Sequence, residues 1–227
     1  MLSAALSRTI PNQRGSAHSD TGAPVFIRGV NMKKMKLSDF ATLQSGLVLN
    51  RKEARSEEET AKYYKRINMR SLNEYGELDR SDLDIFPSVE ILDSAFLTQP
   101  NDIIVKLFTP IYPTLISEED KGFIIPSQLV VIRVFDDQVL PEYLRYYLSA
   151  PEVSELMLSI EGWRSQRTIK VSTFADLEIP IPSIEKQKLI AKISAINSQR
   201  ERLYKELIEE EKKLTTLKLQ KYIGGKV

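Results

Sequence analysis

Residues 177–190, Leu-Glu-Ile-Pro-Ile-Pro-Ser-Ile-Glu-Lys-Gln-Lys-Leu-Ile, mark the point at which the chain changes from one pattern to another. Leucine and isoleucine alternate with glutamate and proline in the first half, which indicates a short strand that ends at the prolines. Ser183 is a suitable N-cap residue, and no glycine or proline follows it until Gly224. The stretch therefore predicts a strand, a short link and the start of a long helix.

The predicted helix has its apolar residues in a heptad pattern. From Leu189 to Lys221 it would run for 33 residues, about 50 Å at 1.5 Å per residue. An isolated helix would expose this stripe, so we expect a partner helix; the alternative is that the helix folds back on its own domain. The predicted heptad seam consists of Leu189, Ile193, Ile196, Leu203, Leu207, Leu214 and Leu217, with Arg200 and Glu210 as its polar members.

The two polar members of the heptad seam suggest a register for self-pairing. If two copies pair antiparallel about a centre near Lys205, Arg200 of one copy lies near Glu210 of the other. Polar residues in a coiled-coil core sometimes specify register in this way. The alternative is that both charged heads extend into solvent while their stems pack.

Short strand-like and helix-like patterns precede the junction. Residues 103–108 and 129–135 are rich in β-branched side chains and predict strands. Pro141–Leu148 predicts a helix with proline in its first turn and leucines on one face, and residues 151–158 predict a second helix. Between them lie long polar loops, so the fold class that we predict is α+β.

The predicted domain organisation has four parts. Residues 1–35 are broken by glycine and proline and are expected to form a flexible lead-in. The α+β domain covers residues 36–182, the long helix covers residues 183–222, and residues 223–227 form a tail.

Composition limits the classes of function. The 227 residues include 32 Lys and Arg against 31 Asp and Glu, a net charge of +1, so the whole chain lacks a strongly basic footprint for nucleic acid. Any such surface needs local segregation of charge. Cysteine is absent and His18 is the single histidine, which excludes disulfides and thiolate ligands and argues against a histidine triad or a multi-histidine metal site.

Several other site types also find no support. No run of about 18 apolar residues and no secretion signal occur, so we expect a cytoplasmic protein without membrane contact. The sequence has neither a phosphate-binding glycine loop nor a dinucleotide fingerprint, and residues 79–84 lack the glycine and final glutamate of a calcium loop. We therefore expect no cofactor, no metal and no catalytic activity of its own.

Several segments, in their order, resemble the specificity subunit of type I restriction-modification systems. Residues 37–46 resemble the LxDxxxxxxG opening of its target recognition domain. Residues 99–104 resemble its next turn and strand, with Asn101 where glycine is usual. Residues 125–133 resemble the strand that follows, and residues 140–148 resemble its helix.

The most specific segment is the junction at residues 177–190. It resembles the family's entry into its long conserved helix, with Gln187 at the glutamine of that motif and Lys186 where an acidic residue is common. The resemblance covers about residues 36–222.

The resemblance implies a non-catalytic DNA-binding subunit. A complete specificity subunit carries this pattern twice, whereas it occurs once here, so a form with one target recognition domain is implied. Two copies would associate through antiparallel helices, and each would contact one half of a split DNA site. The implied partners are double-stranded DNA, a second copy, methyltransferase subunits and possibly restriction subunits; the Asn-Pro-Pro-Tyr motif of the methyltransferase is missing here.

The first candidate segment for DNA contact is residues 50–70. Lys and Arg neutralise phosphates, whereas Arg, Lys, Asn and Gln also recognise base edges. The alternative is a solvated helix in which Glu53 and residues 57–59 pair with the cations. The candidates are Asn50, Arg51, Lys52, Arg55, Lys62, Tyr63, Tyr64, Lys65, Arg66, Asn68 and Arg70.

Two further loops carry candidates. Residues 162–170 begin with Gly162, which allows close backbone approach, and the alternative is a surface loop with its tryptophan in the core. The candidates there are Trp163, Arg164, Gln166, Arg167 and Lys170. The proline-rich loop near residue 110 adds Lys106, Thr109 and Tyr112.

The competing hypothesis for function is a coiled-coil adaptor that does not recognise DNA sequence. It explains the helix but leaves residues 36–182 without a role.

Overall fold

The computed structural model describes residues 33–162 and 169–223. Strand β1 (Lys34–Lys36) pairs antiparallel with strand β8 (Glu178–Pro180), which is the strand predicted at the junction. Two residues of the predicted lead-in, Lys34 and Met35, therefore belong to a paired strand, because β8 supplies partners for their backbone. Residues 1–32 of that lead-in lie outside the described residues.

A four-stranded antiparallel sheet forms the centre of the domain. Its strands are β2 (Ala41–Ser45), β5 (Ile103–Lys106), β6 (Thr114–Leu115) and β7 (Leu129–Val134), in the order β2-β7-β5-β6. The predicted strands at 103–108 and 129–135 form β5 and β7. Each of these two strands is buried on both faces, because alternate residues belong to two different core clusters.

One face of this sheet is covered by short helices. They are α1 (Leu37–Phe40), α2 (Pro141–Leu148), α3 (Pro151–Glu161) and α4 (Val171–Ala175). The predicted apolar face of α2 forms, since Leu144 and Leu148 are fully buried in the core. The opposite face is covered by loop residues such as Ile67, Leu72 and Ile125.

A two-stranded ribbon lies beside the sheet. Strand β3 (Lys62–Arg66) pairs antiparallel with β4 (Asp84–Ser88), and Tyr64 lies opposite Phe86. These two aromatic residues pack in a third core cluster with Leu92 and Ile124. The solvated helix considered for residues 50–70 is therefore wrong, because this segment pairs with a strand that lies about twenty residues further along the chain.

Two motifs of the family resemblance meet in one ion pair between the buried Asp102 and the partly buried Arg133. Arg133 of β7 donates from Nε to Asp102 Oδ1 at 2.9 Å, and its Nη2 donates to Asp102 Oδ2 at 3.1 Å. The same guanidinium also donates to the carbonyls of Ala95 and Leu97. Asn101, at the position where glycine is usual, has a φ of 68°, a left-handed conformation that asparagine tolerates better than most residues.

The long helix α5 (Ile184–Ile223) has 40 residues, about 60 Å at 1.5 Å per residue. Gln187 at its start is fully buried. Its Oε1 accepts from Leu140 N at 2.8 Å, and its Nε2 donates to Gln138 O at 2.7 Å and Pro182 O at 2.9 Å. This side chain therefore joins the helix to the domain.

Further contacts hold α5 against the domain along its first half. Arg145 Nη2 donates to Ser194 Oγ at 3.2 Å, and Arg202 Nη1 lies 3.0 Å from Glu77 Oε2. Lys205 Nζ pairs with Glu74. Beyond these residues every described side chain of the helix is exposed.

Gly46 is the glycine at the end of the 37–46 motif, and the packing around it explains why this position has no side chain. A Cβ built on Gly46 would lie 2.2 Å from both Ile125 O and Pro126 O. Since these are backbone atoms, they cannot move aside without distorting the loop that leads into β7.

We expect Gly46→Ala to lower the free energy of unfolding by about 2 kcal/mol or more, as overpacking does. Chemical denaturation measures this. Gly122→Ala is the comparison. A Cβ on Gly122 would meet no other atom within 4 Å, but the residue has a φ of +86°, so this variant tests backbone strain without a steric clash. A wild-type denaturation midpoint for Gly46→Ala would contradict the steric explanation.

Candidate nucleic-acid interface

The loops at one end of the central sheet come together in space. At this end β2 and β5 finish and β6 and β7 begin. We call it the loop end and define it as residues 46–50, 107–113 and 126–128.

Backbone hydrogen bonds tie these loops into one surface. Ser127 N donates to Leu47 O at 3.0 Å, and Leu107 N donates to Gln128 O at 3.3 Å. Ile169 N donates to Leu107 O at 2.8 Å. Ile169, near the end of the segment 162–170, therefore lies at this same end of the sheet.

The two ends of the sheet differ sharply in charge. Residues 46–50, 107–113 and 126–128 contain no aspartate or glutamate. The loops at the opposite end carry Asp102, Glu118, Glu119, Asp120, Asp136 and Asp137. The three stretches of the loop end contain no lysine or arginine either, so the loop end is uncharged, and phosphates would meet less repulsion there than at the opposite end.

Candidates of the first segment are spread over the loop end and the neighbouring ribbon. Leu47 and Leu49 pack against the ribbon core, so residues 50–52 lead directly from the loop end to the ribbon. The exposed candidates are Asn50, Arg51, Arg55, Lys62, Tyr63, Lys65 and Arg70.

Other candidates of this segment already have partners within the chain. Lys52 pairs with Glu90, and Arg66 Nη2 lies 2.9 Å from Asp84 Oδ2. Asn68 caps a turn, since its Oδ1 accepts from Arg70 N at 2.9 Å and Ser71 N at 3.1 Å. The Arg66 pair holds the pKa of Asp84 below its usual range.

Two predicted DNA contacts need correction. Tyr64 lies on the inner face of the ribbon, and its hydroxyl accepts from Leu92 N at 3.0 Å. Lys106 is buried in β5, and its Nζ donates to Leu72 O at 3.0 Å and lies 4.8 Å from the centroid of the Tyr112 ring. Burial lowers the pKa of Lys106. We remove both side chains from the candidate interface, because neither reaches the surface.

Contacts of Glu161 with Lys170 and Thr173 bring the two ends of the segment 162–170 together. Glu161 Oε1 accepts from Lys170 N at 3.0 Å and from the Thr173 hydroxyl, and its Oε2 lies 3.1 Å from Lys170 Nζ. The Thr173 hydroxyl and the Lys170 amide hold the pKa of Glu161 below its usual range. Trp163, Arg164, Gln166 and Arg167 lie outside the described residues.

Thr109 and Tyr112 of the third loop are half-exposed at the loop end. Tyr112 has a φ of 37°, which a non-glycine residue rarely adopts. The same loop borders a cleft of about 1270 Å³ between the domain and α5, whose walls include Tyr75, Arg145 and Ile193. Burial lowers the pKa of Arg145 in this cleft.

Apart from Ile193, which borders this cleft, the predicted heptad seam lies on the face of α5 that points away from the domain. Its seven apolar members are all between 50% and 62% exposed. The two polar members have partners on their own helix. The Cζ atom of Arg200 lies 5.8 Å from the centroid of the Tyr204 ring, and Glu210 Oε1 lies 2.7 Å from Lys213 Nζ. This favours the alternative in which the charged heads stay outside a helix interface, while pairing itself stays a prediction.

Sequence reasoning missed several structural and surface features. Gln128, Val48 and Phe108 lie at the loop end and were not among the candidates. No local signal marks them, because they become neighbours only when β2, β5 and β7 pair. Within residues 33–162 and 169–223, no cluster of side chains suits a metal ion and no helix could cross a membrane.

Comparison with known proteins gives one family. The family described as type I restriction modification DNA specificity domain matches residues 29–211. Comparison with curated proteins found no match.

Two solved structures are similar in fold. One is the HsdS subunit from Thermoanaerobacter tengcongensis, with a TM-score of 0.58 and 18% identity over 83% of this chain and 47% of that chain. The other comes from a study of complex assembly and conformational transition of the type I R-M system, with a TM-score of 0.57 and 16% identity over 84% of this chain and 45% of that chain. This chain therefore spans less than half the length of either.

Proposed function

The chain belongs to the family of type I restriction modification DNA specificity domains, and from this premise we propose that it recognises one half of a bipartite DNA site. In this proposal the domain contacts DNA through the loop end and the adjoining ribbon. The chain itself has no catalytic role and directs methyltransferase subunits, and restriction subunits where present, to the site.

One observation carries this proposal. The loop end is free of acidic residues, whereas six acidic residues occupy the loops at the opposite end of the same sheet. Backbone atoms of four segments are hydrogen-bonded together at the loop end. Side chains placed on such a rigid support can hold the geometry that base recognition needs.

The long helix supplies the second half of the proposal. Its exposed heptad seam suits an antiparallel helix from a second copy. Two copies related by two-fold symmetry would place two identical domains apart along the coiled coil. The target would then be symmetric, with a gap set by the length of α5.

A binding experiment with bipartite duplexes tests this function. Duplexes with randomised half-sites and varied gaps are mixed with the chain alone and with a methyltransferase subunit. We expect one half-site sequence and one gap length to be enriched, with a preference over random DNA of about 10³ or more. A chain that enriches no duplex in either mixture would instead support the adaptor hypothesis.

The salt dependence of binding should report the phosphate contacts. If Arg51 and Arg55 each neutralise a phosphate, Arg51→Ala with Arg55→Ala reduces the slope of log affinity against log salt by about 1.8. Lys121→Ala is the control, since Lys121 is an exposed cation that follows the acidic residues 118–120. An unchanged slope in the double variant would place the DNA elsewhere on the domain.

A further inference from the structure

The turn at residues 126–128 carries an exposed side-chain amide on a backbone that hydrogen bonds hold in place. Its backbone is bonded on both sides, through Ser127 N to Leu47 O at 3.0 Å and through Gln128 O to Leu107 N at 3.3 Å. Leu129 N closes the turn by donating to Pro126 O at 2.9 Å. Gln128 itself is exposed, and its side-chain amide has no hydrogen bond to any other residue in the described ranges.

The neighbours of Gln128 are apolar and exposed. Val48, which follows Leu47, is 66% exposed, and Phe108, which follows Leu107, is 37% exposed. The hydrogen bonds of the turn join it to Leu47 on one side and Leu107 on the other, so the segments that carry Val48 and Phe108 flank Gln128. The centre of the loop end thus presents one amide between two apolar groups, without an acidic residue in these loops.

This arrangement matches an A·T pair better than a G·C pair. A glutamine amide donates and accepts at once, which suits N7 and N6 of adenine in the major groove. Thymine, on the other strand of the same pair, presents an apolar C5 methyl group in that groove. Guanine offers two acceptors and cytosine one donor, so neither uses both halves of the amide.

We propose that Gln128 recognises an adenine in the target half-site, with Val48 and Phe108 as the apolar contacts for the paired thymine. This inference rests on the proposed function, because it assumes that the loop end faces DNA. It assigns base recognition to a residue outside the charged segments.

The test compares base preferences of the full-length chain and its variants on the randomised bipartite duplexes. We expect wild type to prefer A·T at one position of each half-site by about 5- to 150-fold, the discrimination of one bidentate contact. Gln128→Ala should remove most of the base preference at that one position and leave the preferences at the other positions unchanged. Gln128→Glu should move the preference there toward cytosine, whose N4 donates to a carboxylate.

Gln138→Ala is the matched control. Gln138 is also an exposed glutamine, but it lies after the C-terminal end of β7, at the acidic end of the sheet. It should keep every base preference, and equal melting temperatures of all variants would show that folding is intact.

The possible results separate this inference from the proposed function. If Gln128→Ala keeps all preferences, or weakens binding to every sequence equally, the assignment of Gln128 is wrong while the DNA function stands. If wild type itself prefers no duplex, alone or with the methyltransferase subunit, the proposed function is wrong and this inference is wrong with it.

Discussion

Replacing Leu203 and Leu207 together with aspartate should convert a paired protein into monomers. Both side chains belong to the heptad seam and are 50% and 55% exposed in the single chain. Full burial of a leucine contributes about 1.5–3 kcal/mol, and a symmetric pair would bury the exposed half of four such side chains. We therefore expect the dissociation constant of the pair to rise by about 10²- to 10⁴-fold.

Light scattering coupled to size-exclusion chromatography measures this result. The matched control is Ala195→Asp with Thr215→Asp, which adds the same charge to exposed positions of α5 outside the heptad seam. The control should remain paired, and circular dichroism should show the same helix content in both variants. Persistence of the pair in Leu203→Asp with Leu207→Asp would contradict the coiled-coil proposal.

Replacing Arg133 with methionine should lower the free energy of unfolding by about 3–5 kcal/mol, as the loss of one partner from a buried ion pair does. The Asp102 side chain is only 3% exposed and depends on Arg133 for its charge partner. Two carbonyl oxygens, of Ala95 and Leu97, also lose their donor. Arg70→Met is the control: Arg70 is 79% exposed and lies 4.0 Å from Asp82, so its loss should be about 0.5 kcal/mol or less.

The effect of Arg133→Met should depend on pH. Burial raises the pKa of Asp102, although Arg133 acts in the opposite direction, so the variant should have a still higher pKa there. A carboxyl whose folded pKa exceeds its unfolded value of about 3.9 destabilises the fold when it is ionised. The loss of stability caused by Arg133→Met is therefore largest at pH values above the folded pKa of Asp102. It becomes smaller as the pH falls toward 4.

Urea unfolding at several pH values measures both effects. Adding Asp102→Asn to Arg133→Met removes the buried charge and should recover part of the stability at neutral pH. A loss no larger than that of Arg70→Met, or a loss independent of pH, would contradict the conclusion that the buried Asp102 carboxylate depends on Arg133 as its charge partner.

The sequence predicted the elements whose patterns are local. The strands β5 and β7, the helices α2 and α3 and the start of α5 lie where β-branched runs, leucine spacing and proline punctuation placed them. Strand β4 was missed: only its pairing with β3 and the burial of Phe86 give Asp84–Ser88 a strand conformation.

The candidate DNA contacts show the same division. Residue type alone selected Tyr64 and Lys106, but the strand alternation and the two-sided burial of β5 place both in the core. Residue type also passed over Gln128, which stands in a turn between two apolar stretches. Its exposure follows from the way that neighbouring loops hold the turn.

The amino-acid sequence by itself determined the long helix, its apolar seam and the chain's α+β class, because helix and strand periodicity are properties of neighbouring residues. Only the tertiary structure decided which end of the sheet is free of acidic residues and which side chains meet there. Segments that lie far apart in the sequence, from residue 46 to residue 128, form that end, and antiparallel pairing of β2, β5 and β7 brings them together. The physical reason is that strand register and packing are set between distant segments, so no local spacing encodes the surface that they build.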